Sequence, residues 1–194
     1  MANGRVKTGF SLPYVATYSN SGTTVTYTGV SPLARGVEVD MSVESSSDNI
    51  FYADNQEAEN LSGTFTGGTV TLTVDGLKTA AEKLILGLPT ASSGWTAFGD
   101  DQSIPYCGLG FIVRYMEDGV TSYVPVVLPK VMFANPSITA ATQEAEVDWQ
   151  TTELTATIFR DDTAVKNWLY KGDAETTESA AEAAMKTKLG YTTG

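Results

Sequence analysis

Hydrophobic and polar residues alternate one by one over much of this chain. Between residues 37 and 43, three valines and a methionine alternate with Glu38, Asp40 and Ser42. The same period of two recurs in residues 23–28, 70–74, 145–149 and 154–158. A period of two places alternate side chains on opposite faces of a strand. The pattern therefore predicts antiparallel strands with one face on a core and the other face polar.

Turn-forming residues separate these runs. Asp118-Gly119 predicts a tight hairpin between residues 109–116 and 122–128. Pro125 and Pro129 predict that the strand containing them is bent or lies at a sheet edge. Together the runs and turns predict about seven to nine strands.

Two segments have a helical pattern. One helix is predicted inside the body of the protein, over residues 77–86, with Asp75 expected to cap its start and Gly87 to end it. Residues 174–189 place acids first and lysines last, as the helix dipole favours. Their apolar face is thin, so this segment is either a frayed tail or a piece that docks on another surface.

These elements predict a mainly β (α+β) fold, an antiparallel β-sandwich or barrel with one flanking α-helix. We expect one domain over residues 1–172, followed by a helical or flexible C-terminal tail over 173–194. Residues 44–60 and 88–106 show no clear period and are predicted to be long loops. Loops of this length are often functional or become ordered on a partner.

Composition limits the chemistry that the chain can perform. Twelve basic and twenty-three acidic side chains give a net charge of −11, so we do not expect the chain to hold nucleic acid through its phosphates. The absence of histidine removes the usual general base and the commonest metal ligand. Cys107 is the only cysteine, which excludes an intramolecular disulfide and a zinc site of cysteines and histidines. Carboxylates are the remaining candidates for catalysis or metal binding, and no acidic cluster in the sequence matches a calcium-binding loop.

No apolar run is long enough to cross a bilayer. The first basic residues, Arg5 and Lys7, precede a segment broken by Pro13 and polar residues, which does not match a signal peptide. We expect a protein that is made and kept in a cytoplasm, or released without a cleaved signal, and that has no membrane partner.

Acidic residues recur on two of the predicted strands. Glu38 and Asp40 share one face, and Glu144 and Glu146 share another. Acids are poor strand formers. These are either ordinary solvated faces or faces that are kept wet and negative in order to repel a polyanion.

Five sequence segments follow one another in an order that is informative. They are FYADN (51–55), TVTLTVDGL…LILG (69–87), YCGLGFIVRY with its DG hairpin (106–119), LPKVMFANPSITAATQ (128–143) and WQTTELTATIFRDD (149–162). In this order and spacing, residues 8–170 resemble the major tail protein (tail tube) family of long-tailed, non-contractile bacteriophages and prophages. The C-terminal tail lies outside the resemblance.

The resemblance implies a structural protein of the virion tail, without catalytic residues or a cofactor. Six copies would form a ring whose inner wall is a continuous β-barrel, and rings assembled in the bacterial cytoplasm would stack around a tape-measure protein. Tail-end proteins would be further partners, and genome DNA would pass through the lumen without specific binding. On this hypothesis the acidic faces line the lumen, and the loop 44–60 connects subunits or rings. The loop residues expected at these contacts are Asp48, Phe51, Tyr52, Asp54 and Asn55.

Two other classes of function stay open. Trp95, Phe98 and Tyr106 of the second predicted loop could form the aromatic platform of a β-sandwich ligand- or carbohydrate-binding (adhesin-like) module, although loop aromatics also pack over cores. The lack of a signal peptide counts against an adhesin secreted in the conventional way. A hydrolase with paired carboxylates is the third class, and no motif favours it.

Overall fold

The structure is a computed structural model that describes residues 4–47, 49–61, 63–89, 94–142 and 149–191. These residues form ten strands and two helices. The strands are β1 (Val6–Ser21), β2 (Thr24–Pro32), β3 (Gly36–Ser45), β4 (Asn49–Ala53), β5 (Gln56–Leu61), β6 (Phe65–Val74), β7 (Cys107–Glu117), β8 (Val120–Phe133), β9 (Thr152–Phe159) and β10 (Tyr170–Lys171). The helices are α1 (Thr79–Leu86) and α2 (Glu178–Lys188).

Eight of these strands form one antiparallel sheet. Seven of them follow the order β2-β1-β7-β8-β9-β6-β3. The eighth, β10, pairs with residues 126–127 of β8, whereas β9 pairs with residues 130–133 of the same strand. The alternating residues of β3, β6 and β9 explain this arrangement, because one face of each strand is apolar and the other is polar. The predicted fold class, a mainly β sandwich-like fold with a flanking helix, is confirmed.

The two halves of the sheet share one hydrophobic core. Val15 of β1 and Leu109 of β7 belong to the same buried cluster as Leu72 of β6 and Leu154 of β9. Ile85 of α1 is fully buried in this cluster. The sheet therefore packs against itself, and α1 covers part of the core that the strands leave open.

The start of α1 differs from the prediction. Its N-cap is Lys78, whose side chain makes no capping hydrogen bond, so the expected cap at Asp75 is wrong. The Asp75 carboxylate instead accepts hydrogen bonds from the backbone N–H of Arg35 at 2.9 Å and from its Nε at 2.5 Å. Asp75 thus ties the end of β6 to the start of β3. Gly87 ends the helix as predicted, with the left-handed φ of 62° that glycine favours.

The two prolines of β8 lie inside the sheet and not at an edge. The register of β7 and β8 pairs Leu109 with Leu128 but Cys107 with Val131, so β8 has an extra residue beside Pro129. A bulge of this kind bends a strand and accommodates a residue that lacks an N–H. Of the two predicted alternatives for this strand, the bend is the one observed.

The helix α2 packs on the outer face of β7 and β8. Met185 and Leu189, which follows the helix, are almost completely buried there. The two glycines of the YCGLGF segment make room for them. A Cβ on Gly110 would lie 2.7 Å from Cγ of Met185, and one on Gly108 would lie 2.9 Å from Cδ2 of Leu189. The glycine pair therefore allows the C-terminal helix to approach the backbone of the sheet.

Hydrogen bonds also join α2 to β1. The Ser11 hydroxyl donates to the carboxylate of Glu178, and the Tyr14 hydroxyl donates to Oε1 of Glu182 at 2.7 Å. Between Ser11 and Tyr14 the register with β7 slips, and Leu12 has a φ of 50°. The helix is thus fixed to the segment of β1 where the strand is irregular.

The prediction of a long loop over residues 44–60 is wrong. β3 continues to Ser45, and β4 and β5 then pair as a β-hairpin. Asp54 and Asn55 form its turn with φ of 50° and 62°, the left-handed values that a two-residue hairpin turn requires. The hairpin is a sheet of its own, separate from the main sheet in which alternation follows from burial on one face. We call residues 46–64 the arm.

Candidate functional site

The outward face of β3, β6 and β9 consists of acids and small hydroxylated residues. Glu38 pairs with Thr73 and Asp40 with Thr71, and Thr73 also pairs with Glu153 of β9. Residues that are paired directly lie on the same face of a sheet. We call this surface the acidic face. Its members are Glu38, Asp40, Ser42, Glu44, Thr69, Thr71, Thr73, Glu153, Thr155 and Thr157.

The acidic face includes four carboxylates and no lysine or arginine. Its acids are exposed, and its threonines are exposed or half-buried. Threonine hydroxyls and carboxylates both bind water, while the uncompensated negative charge repels anions. The surface is therefore suited to standing beside a polyanion without binding it.

Local alternation revealed only part of this surface. Glu38 and Asp40 are exposed and lie on the acidic face, as the period of two in β3 suggests. Glu153 joins them through the register between β6 and β9, which the sequence patterns did not reveal. Glu144 and Glu146, expected on a second acidic face, lie outside the described residues.

The arm has a negatively charged sequence and an exposed aromatic residue. No lysine or arginine occurs between Arg35 and Lys78. Phe51 of β4 is 65% exposed, and Asp54 and Asn55 form the exposed turn. Of the other two residues expected at contacts, Tyr52 belongs to β4, where it pairs with Glu57, and Asp48 lies outside the described residues.

At its base, the arm is held by hydrogen bonds between Ser46 and Thr64. The Ser46 N–H donates to the Thr64 carbonyl at 2.8 Å, and the Thr64 N–H donates to the Ser46 hydroxyl at 3.2 Å. A two-stranded hairpin alone is only marginally stable in water. These bonds join the arm to the ends of β3 and β6.

The side chain of Lys130 in β8 lies between two tyrosine rings. Nζ of Lys130 donates to Oδ2 of Asp162 at 2.7 Å and lies 5.1 Å and 4.5 Å from the ring centroids of Tyr18 and Tyr106. The hydrogen bond from Lys130 holds the pKa of the Asp162 carboxyl below its usual range, and burial raises the pKa of Tyr18. Each group has a partner, so the cluster joins β1, β8 and the segment after β9 without freeing a base or a nucleophile.

The aromatic residues of the predicted binding platform are not brought into one stack. Trp95 is 80% exposed and Phe98 is 53% exposed. The Tyr106 ring instead packs edge-on against Tyr18 and Phe159. Among the described residues, no ring pairing joins Trp95 or Phe98 to Tyr106.

Groups that could perform chemistry are scarce in the part of the chain that the structure describes. It contains no cluster of three or more side chains that could hold a metal ion. Cys107 is fully buried, and burial raises the pKa of its thiol to about 12, so it is a poor nucleophile at neutral pH. No helix within the described ranges has the length and apolarity that would let it span a membrane.

No model of a known protein family matches the chain, and no curated protein sequence matches it significantly. Three features of the molecule itself bear on its function: the acidic face, the edges of the sheet and the arm.

Proposed function

We propose that this protein is the structural subunit of a bacteriophage tail tube, which self-assembles into stacked hexameric rings and forms the conduit for genome DNA. The observation that carries the proposal is the acidic face. A wall of carboxylates and threonines without a cation stays hydrated and repels passing phosphates. DNA would slide past such a wall, whereas exposed lysines or arginines would hold it.

The two ends of the sheet support assembly into rings. β2 and β3 end the strand order, and neither has a second neighbour among the described strands. β2 is uncharged and β3 carries three acids, so the two edges differ. Free edges of nine or ten residues invite pairing with another chain. Pairing between unlike edges is head-to-tail and gives a ring when the rotation closes.

The arm supports contacts between copies. Its exposed Phe51 and its marginal stability as an isolated hairpin favour a bound state. In the proposed tube, the arm contacts a neighbouring subunit or ring. The tape-measure protein fills the lumen before the DNA, and tail-end proteins close the tube. The subunit needs no catalytic group, cofactor or membrane for this role in the virion tail.

Electron microscopy tests the proposal directly. We expect the purified protein, negatively stained over a series of concentrations, to show rings or hollow tubes with sixfold symmetry, and light scattering to show the matching mass. A monomer at every concentration would contradict self-assembly. As a control, replacement of the arm by a short Gly-Ser linker should leave a folded subunit that makes no tubes, and normal tubes from that variant would contradict the role of the arm.

A ligand- or carbohydrate-binding module is the second candidate, and two exposed tryptophans favour it. Trp95 is 80% exposed and Trp149 is 87% exposed. Exposed indole rings offer flat apolar surfaces on which a sugar ring can stack. A glycan array tests this function: binding that is lost in the variant Trp95→Ala or Trp149→Ala would favour it, and no binding by the unaltered protein would dismiss it.

A further inference from the structure

A groove of about 640 Å³ follows the free edge of β3. Its floor is apolar and includes Phe10, Phe111, Val126 and Leu169. Lys7 and Lys171 line the groove from β1 and β10, and residues 37–41 line it from β3. Val39 and Met41 pack toward the core, while Glu38 and Asp40 alternate with them and belong to the acidic face. The groove therefore has an apolar floor and one basic side.

Three cations surround one tyrosine on the basic side of the groove. The guanidinium carbon of Arg5 lies 5.3 Å from the ring centroid of Tyr115, and Nζ of Lys171 lies 5.4 Å from it. Lys7 pairs with Tyr115 in the register of β1 and β7. None of the three forms an ion pair within the described part of the chain. Because exposed cation–π contacts are weak, these charges remain available to an acidic partner.

The arm has the complementary character. It combines the exposed Phe51 with acids and has no cation. Its acids are Asp48, Asp54, Glu57 and Glu59. We infer that the groove receives the arm of a second copy of this chain, with Phe51 on the apolar floor and the arm's acids beside Lys7 and Lys171. The inference rests on the proposed function and adds to it the surface that accepts the arm.

The arm of the same chain is poorly placed to fill the groove. The groove is lined by residues 37–41 at the start of β3, whereas the arm continues from Ser45 at its end. A strand rises about 3.3 Å per residue, so the base of the arm lies about 20 Å along β3 from the middle of the groove. No described residue of the arm lines the groove of its own chain, so we assign the arm in the groove to a second copy.

Photo-cross-linking locates the arm in the full chain. Phe51→p-benzoylphenylalanine is made in chains of two isotopic compositions, which are mixed, concentrated and irradiated, and cross-links are mapped by mass spectrometry. We expect links between unlike isotopes that join residue 51 to residues 7–10, 37–41 or 169–171. Links to another surface, links only within one chain, or no links would overturn the inference.

Reversal of charge gives a second test that does not depend on the cross-linker. Lys7→Glu with Lys171→Glu should reduce the assembled fraction about tenfold, because the charge that attracts the arm is reversed. Adding Glu57→Lys with Glu59→Lys should restore assembly. Lys78→Glu with Lys166→Glu is the matched control, since it makes the same change of charge at exposed lysines outside the groove. Unchanged assembly of the groove variant, or equal loss in the control, would overturn the inference.

Together, these experiments separate the inference from the proposed function. Tubes in which the arm cross-links elsewhere would contradict the groove and leave the tube function standing. Cross-links between chains at the groove without rings or tubes would contradict the tube and leave the groove contact standing. If the charge-reversed variant does not fold, as judged by its circular dichroism, the cross-links of the otherwise unaltered chain decide the result.

Discussion

Lys130 and Asp162 form an ion pair of 2.7 Å that joins β8 to the segment after β9. The lysine side chain is only 14% exposed, whereas the aspartate side chain is 35% exposed. Tyr18 of β1 contributes both a ring face to the lysine and a hydroxyl to the aspartate. Together with Tyr18, the ion pair therefore links three segments that are distant in the sequence.

Removal of the cation should lower the stability of the protein. In Lys130→Met, the Asp162 carboxylate loses its charged hydrogen-bond donor but keeps the Tyr18 hydroxyl and partial contact with water. We expect the free energy of unfolding in urea to fall by about 1–2 kcal/mol. Lys78→Met is the control at an exposed lysine, expected to change it by less than about 0.5 kcal/mol. Equal stability of Lys130→Met and the unaltered protein would contradict a stabilising role.

The contribution of Asp162 should depend on pH. The hydrogen bond from Lys130 holds the pKa of this carboxyl below its usual value, so the folded state favours the ionised form. Such a group stabilises the fold above its unfolded pKa of about 4, and the contribution is lost as the pH falls through the lower folded pKa. We expect the stability difference between the protein and Asp162→Asn to be full at pH 7 and to shrink below about pH 4. Urea titrations at pH 7, 5 and 3 measure this stability difference. A difference that stays constant over that pH range would contradict the prediction.

Packing of α2 on the sheet can be tested at Gly110. The methyl group of Gly110→Ala would lie 2.7 Å from Cγ of Met185, so we expect the free energy of unfolding to fall by about 1–3 kcal/mol. Gly99→Ala is the control, because nothing lies within 4 Å of an added Cβ there. In a double-mutant cycle, Met185→Ala should reduce the cost of Gly110→Ala, since it removes the clashing group. Additive costs would show that the two residues do not interact.

Chemical labelling tests the position of the acidic face in a tube. We expect the cysteine in Glu153→Cys, which lies on the acidic face and outside the groove, to react with a bulky maleimide in the free subunit and to be protected in tubes. Cys107 should not interfere, because it is fully buried and burial raises the pKa of its thiol to about 12. Disassembly of the same tubes should restore labelling, which controls for loss of the cysteine. Equal labelling of subunits and tubes would place Glu153 outside the lumen.

Elements that contribute to the core could be predicted from the sequence, because burial imposes a local period. The strand containing Leu72 and the helix containing Ile85 are examples, and both residues are fully buried. The arm lies outside the main sheet, so no such period marks it. Asp75 does not cap the helix, because its carboxylate binds Arg35 instead. The two residues are 40 positions apart, so a pattern of neighbouring residues does not indicate this contact.

Only the part of the candidate site that lies within one strand could be predicted from the sequence. Alternation in β3 places Glu38 and Asp40 on one face, but the register of β6 and β9 is needed to add Glu153. The groove depends even more on tertiary structure, since Lys7 and Lys171 come together from opposite ends of the sequence. Docking of α2 likewise requires Gly108 and Gly110 to face Leu189 and Met185, which helical spacing alone does not indicate.

The strand order affects how the chain folds while it is being synthesised on the ribosome. β1 can pair early with β2, its neighbour in the chain, but its other edge waits for β7, and Ser11 meets Glu178 across 167 positions. Contacts between residues that are far apart in the sequence slow folding, because long loops must close before such contacts form. A nascent chain therefore exposes an unpaired strand for much of its synthesis. A chaperone that shields strand edges would bind the hairpin of β1 and β2 at this stage.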